Sequence, residues 1–324
     1  MTRTLNYSLP QESRFNLVLA DGSHWVITAG DEEAASVVSQ LGNAMRLSVM
    51  SPASSLPTAT FGMGRTGAVE PPHDGVVHRL LIQVEARNPT TSLAACYTPL
   101  PFEDDGFVVC ILRSFSYLRS FFHSEGLYIQ LMELSLIFAR DAQTRGGFLL
   151  HGALAEKDGM GVVLAAPGGT GKTTASYRLP APWHSLCDDT TLVVVDSQGN
   201  YWAHPWPTWS RFLRGDLDGT WDVQYAVPLK GIFFLSQAVA DRVESVGPGQ
   251  AVSLLVECAE QASALMTLGL SEEETRALRL ERFNNLCALA RAVPTHVLHI
   301  SLTGAFWQEI EHCLGGEASV KDYG

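Results

Sequence analysis

The chain has 324 residues, of which 46% are hydrophobic and 17% are charged, and its formal net charge is −12 at pH 7. This length allows one large domain or two ordinary ones, and the composition excludes a disordered or collagen-like protein. The negative net charge argues against nonspecific binding to nucleic acid or to an anionic membrane. It favours small-molecule or basic partners instead.

The cysteine pattern and the N-terminal sequence indicate the cellular compartment in which the protein is expected. The cysteines are scattered, with no Cys-x-x-Cys pair, which is typical of small buried side chains in a reducing environment. The N-terminal stretch lacks the apolar core of a signal peptide, and no apolar run reaches the length of a membrane span. We therefore expect a cytoplasmic protein with no membrane partner.

The first third of the chain is predicted to form short strands. An Asp-Gly turn at Asp21 separates two short apolar runs, which is the pattern of a β-hairpin. Loops rich in proline and glycine separate the later apolar runs. The predicted strands cover 15–19, 25–27, 76–84 and 107–112.

An amphipathic helix is predicted at about 124–145, because apolar residues recur from Leu127 to Phe138 at helical spacing. Two glycines after its end are a helix stop signal. We place a domain boundary at the start of this helix. The result is a smaller β-rich domain, 1–120, for substrate recognition, and a second domain, 121–324.

The second domain is predicted to be α/β with a mixed sheet. A strand, an Asp-Gly turn and a second strand lead into a glycine-rich loop, and a short helix at about 171–179 follows. Beyond it we expect a hairpin that turns at 197–200, and then a strand in "VPLKGIFFL". A helix at 271–291, which begins with three glutamates, precedes a strand in "THVLHISL" and a final helix.

The glycine-rich loop fits the phosphate-binding pattern [AG]xxxxGK[ST], between a predicted strand and a predicted helix. Glycines allow successive backbone N–H groups to point at phosphate oxygens. Lys172 can reach the β- and γ-phosphates, and the Thr173 hydroxyl can bind Mg²⁺. We predict that nucleotide phosphates bind Pro167, Gly168, Gly169, Thr170, Gly171, Lys172, Thr173 and Thr174.

A bound nucleoside triphosphate also needs a carboxylate near its metal ion, and two candidates follow the loop. Asp196 ends a hydrophobic run as in an ordinary Walker B motif, but Ser-Gln-Gly-Asn follows it, so we predict a hairpin-turn residue. The pair Asp188-Asp189 lies only sixteen residues after Lys172. One member of such a pair can hold Mg²⁺ while the other accepts a proton from an attacking hydroxyl.

Further candidates are less specific. His151 lies on the strand before the loop, where a lone histidine is usually a core residue, but the hairpin can bring it beside the loop. The tryptophan-rich segment 202–211 is either a loop that caps the core or an aromatic wall with Arg211 able to reach phosphate. Lys230, Arg279 and Arg282 are candidate transition-state cations or solvated surface residues.

Together, these residues resemble P-loop kinases of the HPr kinase/phosphorylase type, which are related to phosphoenolpyruvate carboxykinases. The shared features are His151-Gly152, the hairpin that follows it, the glycine-rich loop up to Thr173, and the pair Asp188-Asp189. They lie within about 146–304. The segment "HPWPTWSRF" and the layout are most similar to HPr-kinase-related proteins encoded with peptide-maturation cassettes, of which the SynChlorMet cassette is one.

The resemblance implies an ATP- and Mg²⁺-dependent kinase for a serine or threonine hydroxyl of a peptide or small protein. It assigns Asp188 as the general base and Thr173 and Asp189 to Mg²⁺. It places His151 beside the base or the transferred phosphate, as a catalytic residue together with Lys172 and Asp188, and it makes a homo-oligomer plausible. The alternatives are a catalytically silent ATP-binding scaffold and an ATPase, the latter with Asp196 at the metal. Thr174 stands where HPr kinases carry a glutamate, which counts against HPr as substrate and against reverse phosphorolysis.

Overall fold

The computed structural model describes residues 14–29, 32–49, 77–87, 96–99, 107–115, 123–166, 170–209, 220–267 and 270–316. The chain divides into two compact units, and one division falls inside a helix between Ser135 and Leu136. Trp209 and residues 220–224 belong with the first unit, and the remaining described residues after Ser135 form the second.

The first unit contains a six-stranded mixed sheet. Its elements are β1 (Arg14–Val18), β2 (His24–Ala29), α1 (Glu32–Ala44), β3 (Ser48–Val49), β4 (Val77–Arg87), β5 (Cys96–Pro99) and β6 (Phe107–Phe115). The strand order is β3-β1-β2-β4-β6-β5. The predicted hairpin is confirmed, since β1 and β2 pair antiparallel around a turn in which Gly22 has a φ of 84°. β2, β4 and β6 pair in parallel.

The expectation of strands alone in the first third of the chain was wrong at α1. Ala34, Val38 and Leu41 are fully buried and recur at helical spacing, so this segment has an amphipathic helical period. The helix follows β2, whose parallel partner β4 requires a crossover connection. A helix is the usual content of such a connection, and the period of this segment favours one.

The second unit contains an eight-stranded mixed sheet, which confirms the α/β class. Its elements are the end of α2 (His123–Thr144), β7 (Phe148–Lys157), β8 (Met160–Ala165), α3 (Lys172–Arg178), β9 (His184–Cys187), β10 (Thr190–Val195), β11 (Tyr201–Trp206), β12 (Val227–Gln237), β13 (Arg242–Ser245), α4 (Pro248–Ser263), α5 (Glu272–Ala292), β14 (Thr295–Ile300) and α6 (Phe306–Gly316). The order is β11-β10-β7-β8-β12-β14-β13, with β9 beside β7.

The pairing of this sheet brings the sequence-predicted site residues to one place. β8, β12 and β14 pair in parallel, so the glycine-rich loop leaves the sheet at the carboxyl end of a parallel strand. β7 is antiparallel to β8 with Gly152 opposite Ala165, which puts His151 at the level where the loop begins. β11 also pairs with β12, which closes β11, β10, β7, β8 and β12 into a ring.

The predicted elements around the loop are confirmed, whereas β13 and α4 are additional. Helix α4 begins with Pro248 in its first turn, a position that proline favours. Ala251, Leu255, Cys258 and Ala259 form its buried face. Helix α4 packs beside β7 and borders the candidate site.

Arg178 joins the end of α3 to the start of α6. Its guanidinium donates to the carbonyl oxygens of Ser301 at 2.8 Å and Gly304 at 2.6 Å, and it lies 5.2 Å from the ring centre of Phe306. We expect Arg178→Met to lower the free energy of unfolding by about 2 kcal/mol, because it leaves two carbonyls without a charged donor. Urea unfolding measures this, with Tyr177→Phe as the matched control, since Tyr177 is 61% exposed. An Arg178→Met variant as stable as wild type would contradict the role.

No helix within the described part of the chain is long and apolar enough to cross a membrane.

Candidate functional site

The candidate site is formed by the start of α3 and by neighbouring positions on the sheet. Lys172 is the first residue of α3, and His151 lies on β7. Asp188 and Asp189 occupy the two-residue turn between β9 and β10. Thr190 pairs with His151 across the sheet, so the turn places Asp189 beside the histidine. Four residues that the sequence singled out are therefore neighbours in space.

His151 links the carboxylate pair to helix α4. Its Nε2 lies 3.0 Å from Asp189 Oδ1, and its Nδ1 lies 2.6 Å from Gln261 Oε1. Because an ionised carboxylate only accepts hydrogen bonds, the Nε2–H donates to Asp189. His151 thus has a polar side chain beside each ring nitrogen and is not a core residue packed only by apolar neighbours.

The two aspartates have different surroundings. Asp188 is 6% exposed, and its Oδ1 accepts a hydrogen bond from the Thr208 hydroxyl at 2.8 Å. The Asp189 side chain is 38% exposed. The hydrogen bond from His151 lowers the pKa of Asp189, and Lys172 adds to this effect while partial burial opposes it. Adjacent carboxyls in unlike environments are suited to separate roles.

Lys172 is buried beside these carboxylates. Its side chain donates to the carbonyl oxygen of Ala166 at 2.8 Å, and the residue is 5% exposed. Burial lowers the pKa of Lys172, while the charges of Asp189, Cys258 and Asp188 oppose that shift. The ammonium group therefore lies within electrostatic range of both aspartates.

The described part of the loop has the expected backbone. Gly171 has a φ of 101°, a left-handed conformation that favours glycine, directly before α3. The Thr170 carbonyl oxygen accepts a long hydrogen bond, 3.5 Å, from Gln237 at the end of β12. Thr173 and Thr174 are exposed. The predicted contacts at Pro167, Gly168 and Gly169 lie outside the described residues.

The remaining candidates do not gather around the loop in the same way. Arg282 is 2% exposed and forms an ion pair with Glu260 of α4, to which Arg279 also lies close, at 3.6 Å. Lys230 is exposed on β12, and Arg211 lies outside the described residues. Phosphate contacts by these residues remain predictions.

Asp196 is confirmed as a turn residue. Its carboxylate accepts from the backbone N–H groups of Gln198 and Asn200 and from the indole N–H of Trp202, at 2.8–2.9 Å. These hydrogen bonds lower the pKa of Asp196, against the opposing effect of burial. The carboxylate thus stabilises the β10–β11 hairpin.

Gln261 and Thr208 were not predicted, although each contacts a site residue. Gln261 is separated from His151 by 110 residues, and Thr208 from Asp188 by 20. Thr208 lies in the tryptophan-rich segment 202–211 that the sequence singled out, whereas the only signal near Gln261 was the helical period of α4, with its proline start. A prediction of α4 would have supplied the helix but not its position beside β7.

The lowered pKa of Asp189 predicts a pH effect on stability. The carboxyl group of Asp189 binds its proton more tightly in the unfolded chain than in the folded one. The stability that its ionised form contributes is therefore fully present above the usual carboxyl pKa of about 3.9. This stability is lost as the pH falls through the lower pKa of Asp189 in the folded chain. We expect His151→Ala to be less stable at pH 7 and to lose less stability on acidification. Urea unfolding between about pH 7 and pH 3 tests this, with exposed His184→Ala as the control. If His151→Ala lost as much stability on acidification as wild type, this role of the His151–Asp189 hydrogen bond would be contradicted.

The site offers a cation few side-chain ligands among the described residues. Across the described residues, no group of three or more His, Cys, Asp or Glu side chains could hold a metal ion. Mg²⁺ is commonly held by one or two carboxylates together with substrate phosphates. Asp189 and the exposed Thr173 hydroxyl provide oxygens of that kind near a buried lysine.

The fold and the site define a mixed α/β protein in which a lysine-bearing glycine loop and a carboxylate pair meet at one end of a sheet. The family model described as SynChlorMet cassette protein ScmC matches residues 117–315. The match covers more than half of the chain, so the chain belongs to this family. No curated protein matches it.

The family confirms the expected context of a peptide-maturation cassette. The match begins just before α2 and includes every residue of the candidate site. Its description names a cassette and not an activity, so the HPr-kinase resemblance remains a prediction.

Proposed function

We propose that this protein is an ATP- and Mg²⁺-dependent kinase. It transfers the γ-phosphoryl group to a serine or threonine hydroxyl of a peptide or small protein in a maturation cassette. The observation that carries the proposal is the cluster of Lys172, Asp188, Asp189 and His151 at the end of a glycine-rich loop. In this proposal the second unit is a P-loop core of the HPr-kinase and phosphoenolpyruvate-carboxykinase type.

Each residue of the cluster has a role that follows from its surroundings. Lys172 and the backbone N–H groups of the loop bind the triphosphate and stabilise the negative charge on the phosphoryl group during its transfer. Asp189 and Thr173 would hold Mg²⁺, which neutralises phosphate charge when it is bound. His151 fixes the orientation of Asp189 through their 3.0 Å hydrogen bond.

Asp188 accepts the proton of the attacking hydroxyl. The Thr208 hydroxyl fixes the carboxylate through Oδ1, so its orientation does not depend on the substrate. Burial of Asp188 keeps water away from the reacting oxygen, which favours transfer to a hydroxyl over hydrolysis. A kinase needs both properties if the acceptor is to compete with water.

The experiment is a transfer assay with γ-labelled ATP and a library of serine- and threonine-containing peptides. The kinase proposal predicts Mg²⁺-dependent label on a peptide hydroxyl, and loss of that label in Asp188→Asn. Binding of ATP without turnover would favour the scaffold alternative. Release of inorganic phosphate without an acceptor, sensitive to Asp196→Ala, would favour the ATPase.

A further inference from the structure

Helix α4 borders the candidate site along one side of its last two turns. Cys258 and Gln261 are one turn apart and therefore lie on the same side of the helix. Burial raises the pKa of the Cys258 thiol to about 11, and Lys172 lies close enough to oppose this shift. Gln261 contacts His151. The same side of α4 therefore reaches both the lysine after the loop and the histidine on β7.

The end of α4 that carries Gln261 is fixed by its neighbours. Glu260 pairs with Arg282 of α5, and Arg282 is fully buried. Ser263 is also buried, two residues after Gln261. An ion pair to a second helix on one side and a buried residue on the other restrict the backbone at Gln261. Its amide group is therefore presented to the site from a fixed support, which is what precise orientation of a site residue requires.

The amide of Gln261 is chemically suited to an imidazole ring. Its oxygen lies 2.6 Å from His151 Nδ1 and can accept a hydrogen bond from an Nδ1–H group. After half a turn about the last side-chain bond, its NH₂ group can donate to a bare Nδ1 instead. A carboxylate can serve only the first case, and a hydrocarbon side chain serves neither. Glutamine can therefore hold the ring whether or not Nδ1 carries a proton.

A contact at Nδ1 determines where the other ring nitrogen points. Rotation of a histidine ring about its Cβ–Cγ bond is only weakly restricted by the bond itself, so hydrogen bonds decide the orientation. In this orientation His151 Nε2 lies 3.0 Å from Asp189 Oδ1. Asp189 Oδ2 is then the oxygen that does not face the ring. The Asp189 side chain is 38% exposed, so it needs such a partner to keep one rotamer.

We propose that Gln261 is a positioning residue of the candidate site. It holds the His151 ring at Nδ1, the ring holds Asp189 at Oδ1, and Asp189 Oδ2 is thereby kept in place for a cation that is bound together with nucleotide phosphate. The role toward the cation rests on the proposed function, whereas the positioning of the ring and the carboxylate does not. Loss of an outer member of a comparable carboxylate–histidine chain typically lowers metal affinity or activity by about 10- to 100-fold.

The first test needs no nucleotide. We expect NMR of the full chain with isotope-labelled histidine to show a slowly exchanging imidazole N–H proton of His151, assigned by its loss in His151→Ala. Gln261→Met keeps the length of the side chain but removes its polar atoms. In this variant the proton should exchange with water at least about fivefold faster, the factor that corresponds to one ordinary hydrogen bond. Gln261→Glu keeps an acceptor at the same place and should retain slow exchange.

Gln250→Met is the matched control for Gln261→Met. Gln250 is exposed in the first turn of α4, about 11 residues or about 16 Å of helix from Gln261. Both variants place the same residue in the same helix, so urea unfolding of the two shows what the substitution does to stability alone. We expect the control to leave the His151 proton signal unchanged.

The second test is the Mg²⁺ dependence of phosphoryl transfer at saturating ATP. Gln261→Met should raise the Mg²⁺ concentration for half-maximal rate by about three- to tenfold, since it acts on the ligand through a second residue. Gln250→Met should not change this concentration. In a His151→Ala background, Gln261→Met should add less than about a twofold effect, because both substitutions act through the same ring.

The two tests separate this proposal from the proposed function. Unchanged exchange of the His151 proton in Gln261→Met would overturn the positioning role, as would absence of the signal from a folded wild-type chain. Fully additive effects of Gln261→Met and His151→Ala on the Mg²⁺ dependence would also overturn it. If wild type shows no transfer while Gln261→Met still loses slow exchange, the kinase function fails and the positioning of the ring and the carboxylate is supported.

Discussion

Lys172→Met is expected to reduce phosphoryl transfer by about 10³-fold or more and to weaken ATP binding. In the proposed function the ammonium group binds the β- and γ-phosphates, and charge stabilisation of this kind lowers the transition-state energy by several kcal/mol. Methionine has a similar length and suits a position that is 5% exposed. The fold should therefore survive the loss of the hydrogen bond to Ala166.

The matched control for Lys172 is Lys157→Met. Lys157 lies near the β7–β8 turn, where its ammonium donates to Glu311 at 2.6 Å. This variant also loses a lysine and an ion pair, but it should retain transfer. The measurements are initial rates with labelled ATP, together with thermal unfolding. Equal loss in both variants would assign the effect to stability and contradict a phosphate role for Lys172.

Asp188→Asn is expected to lower the turnover number by about 10²- to 10⁴-fold while ATP binding is retained, because it removes the proposed proton acceptor and leaves the loop intact. The asparagine carbonyl oxygen can still accept from Thr208, so the local geometry should persist. Rate measurements at saturating ATP, with calorimetry for ATP binding, separate the two steps.

Two further substitutions sharpen the test at Asp188. Asp196→Asn serves as the control, since that carboxylate is used in a hairpin turn and should not affect transfer. Asp189→Asn should raise the Mg²⁺ concentration needed for half-maximal rate. If Asp188→Asn phosphorylated as fast as wild type, another group would have to act as the base.

The elements around the site could be predicted because their signals are local. The Asp-Gly turn between β7 and β8, the glycine before α3 and the turn after Asp196 each specify a backbone conformation within a few residues. The register of β7 against β8 follows from the short turn. This register sets Gly152 opposite Ala165 and so puts His151 at the level where the loop begins.

The partners of the site residues could not be predicted, because they depend on contacts between distant segments. Gln261 reaches His151 from a helix that begins nearly 100 residues later in the chain. Arg282 was a candidate cation for phosphate, yet Glu260 on the neighbouring helix pairs with it in a buried position. Helix α1 is a different case, because the apolar residues of its own segment recur at helical spacing and therefore gave a local signal that was missed.

The proposed function depends on nucleotide binding by the glycine-rich loop and Lys172. Calorimetric titration of the wild-type chain with ATP, first with Mg²⁺ and then with a chelator, tests this binding. We expect saturable binding with a dissociation constant between about 1 μM and about 1 mM, the range common for enzyme substrates. Binding should weaken without Mg²⁺ and be lost in Lys172→Met. Absence of saturable binding by a folded wild-type chain, or equal binding by Lys172→Met, would contradict the proposed function.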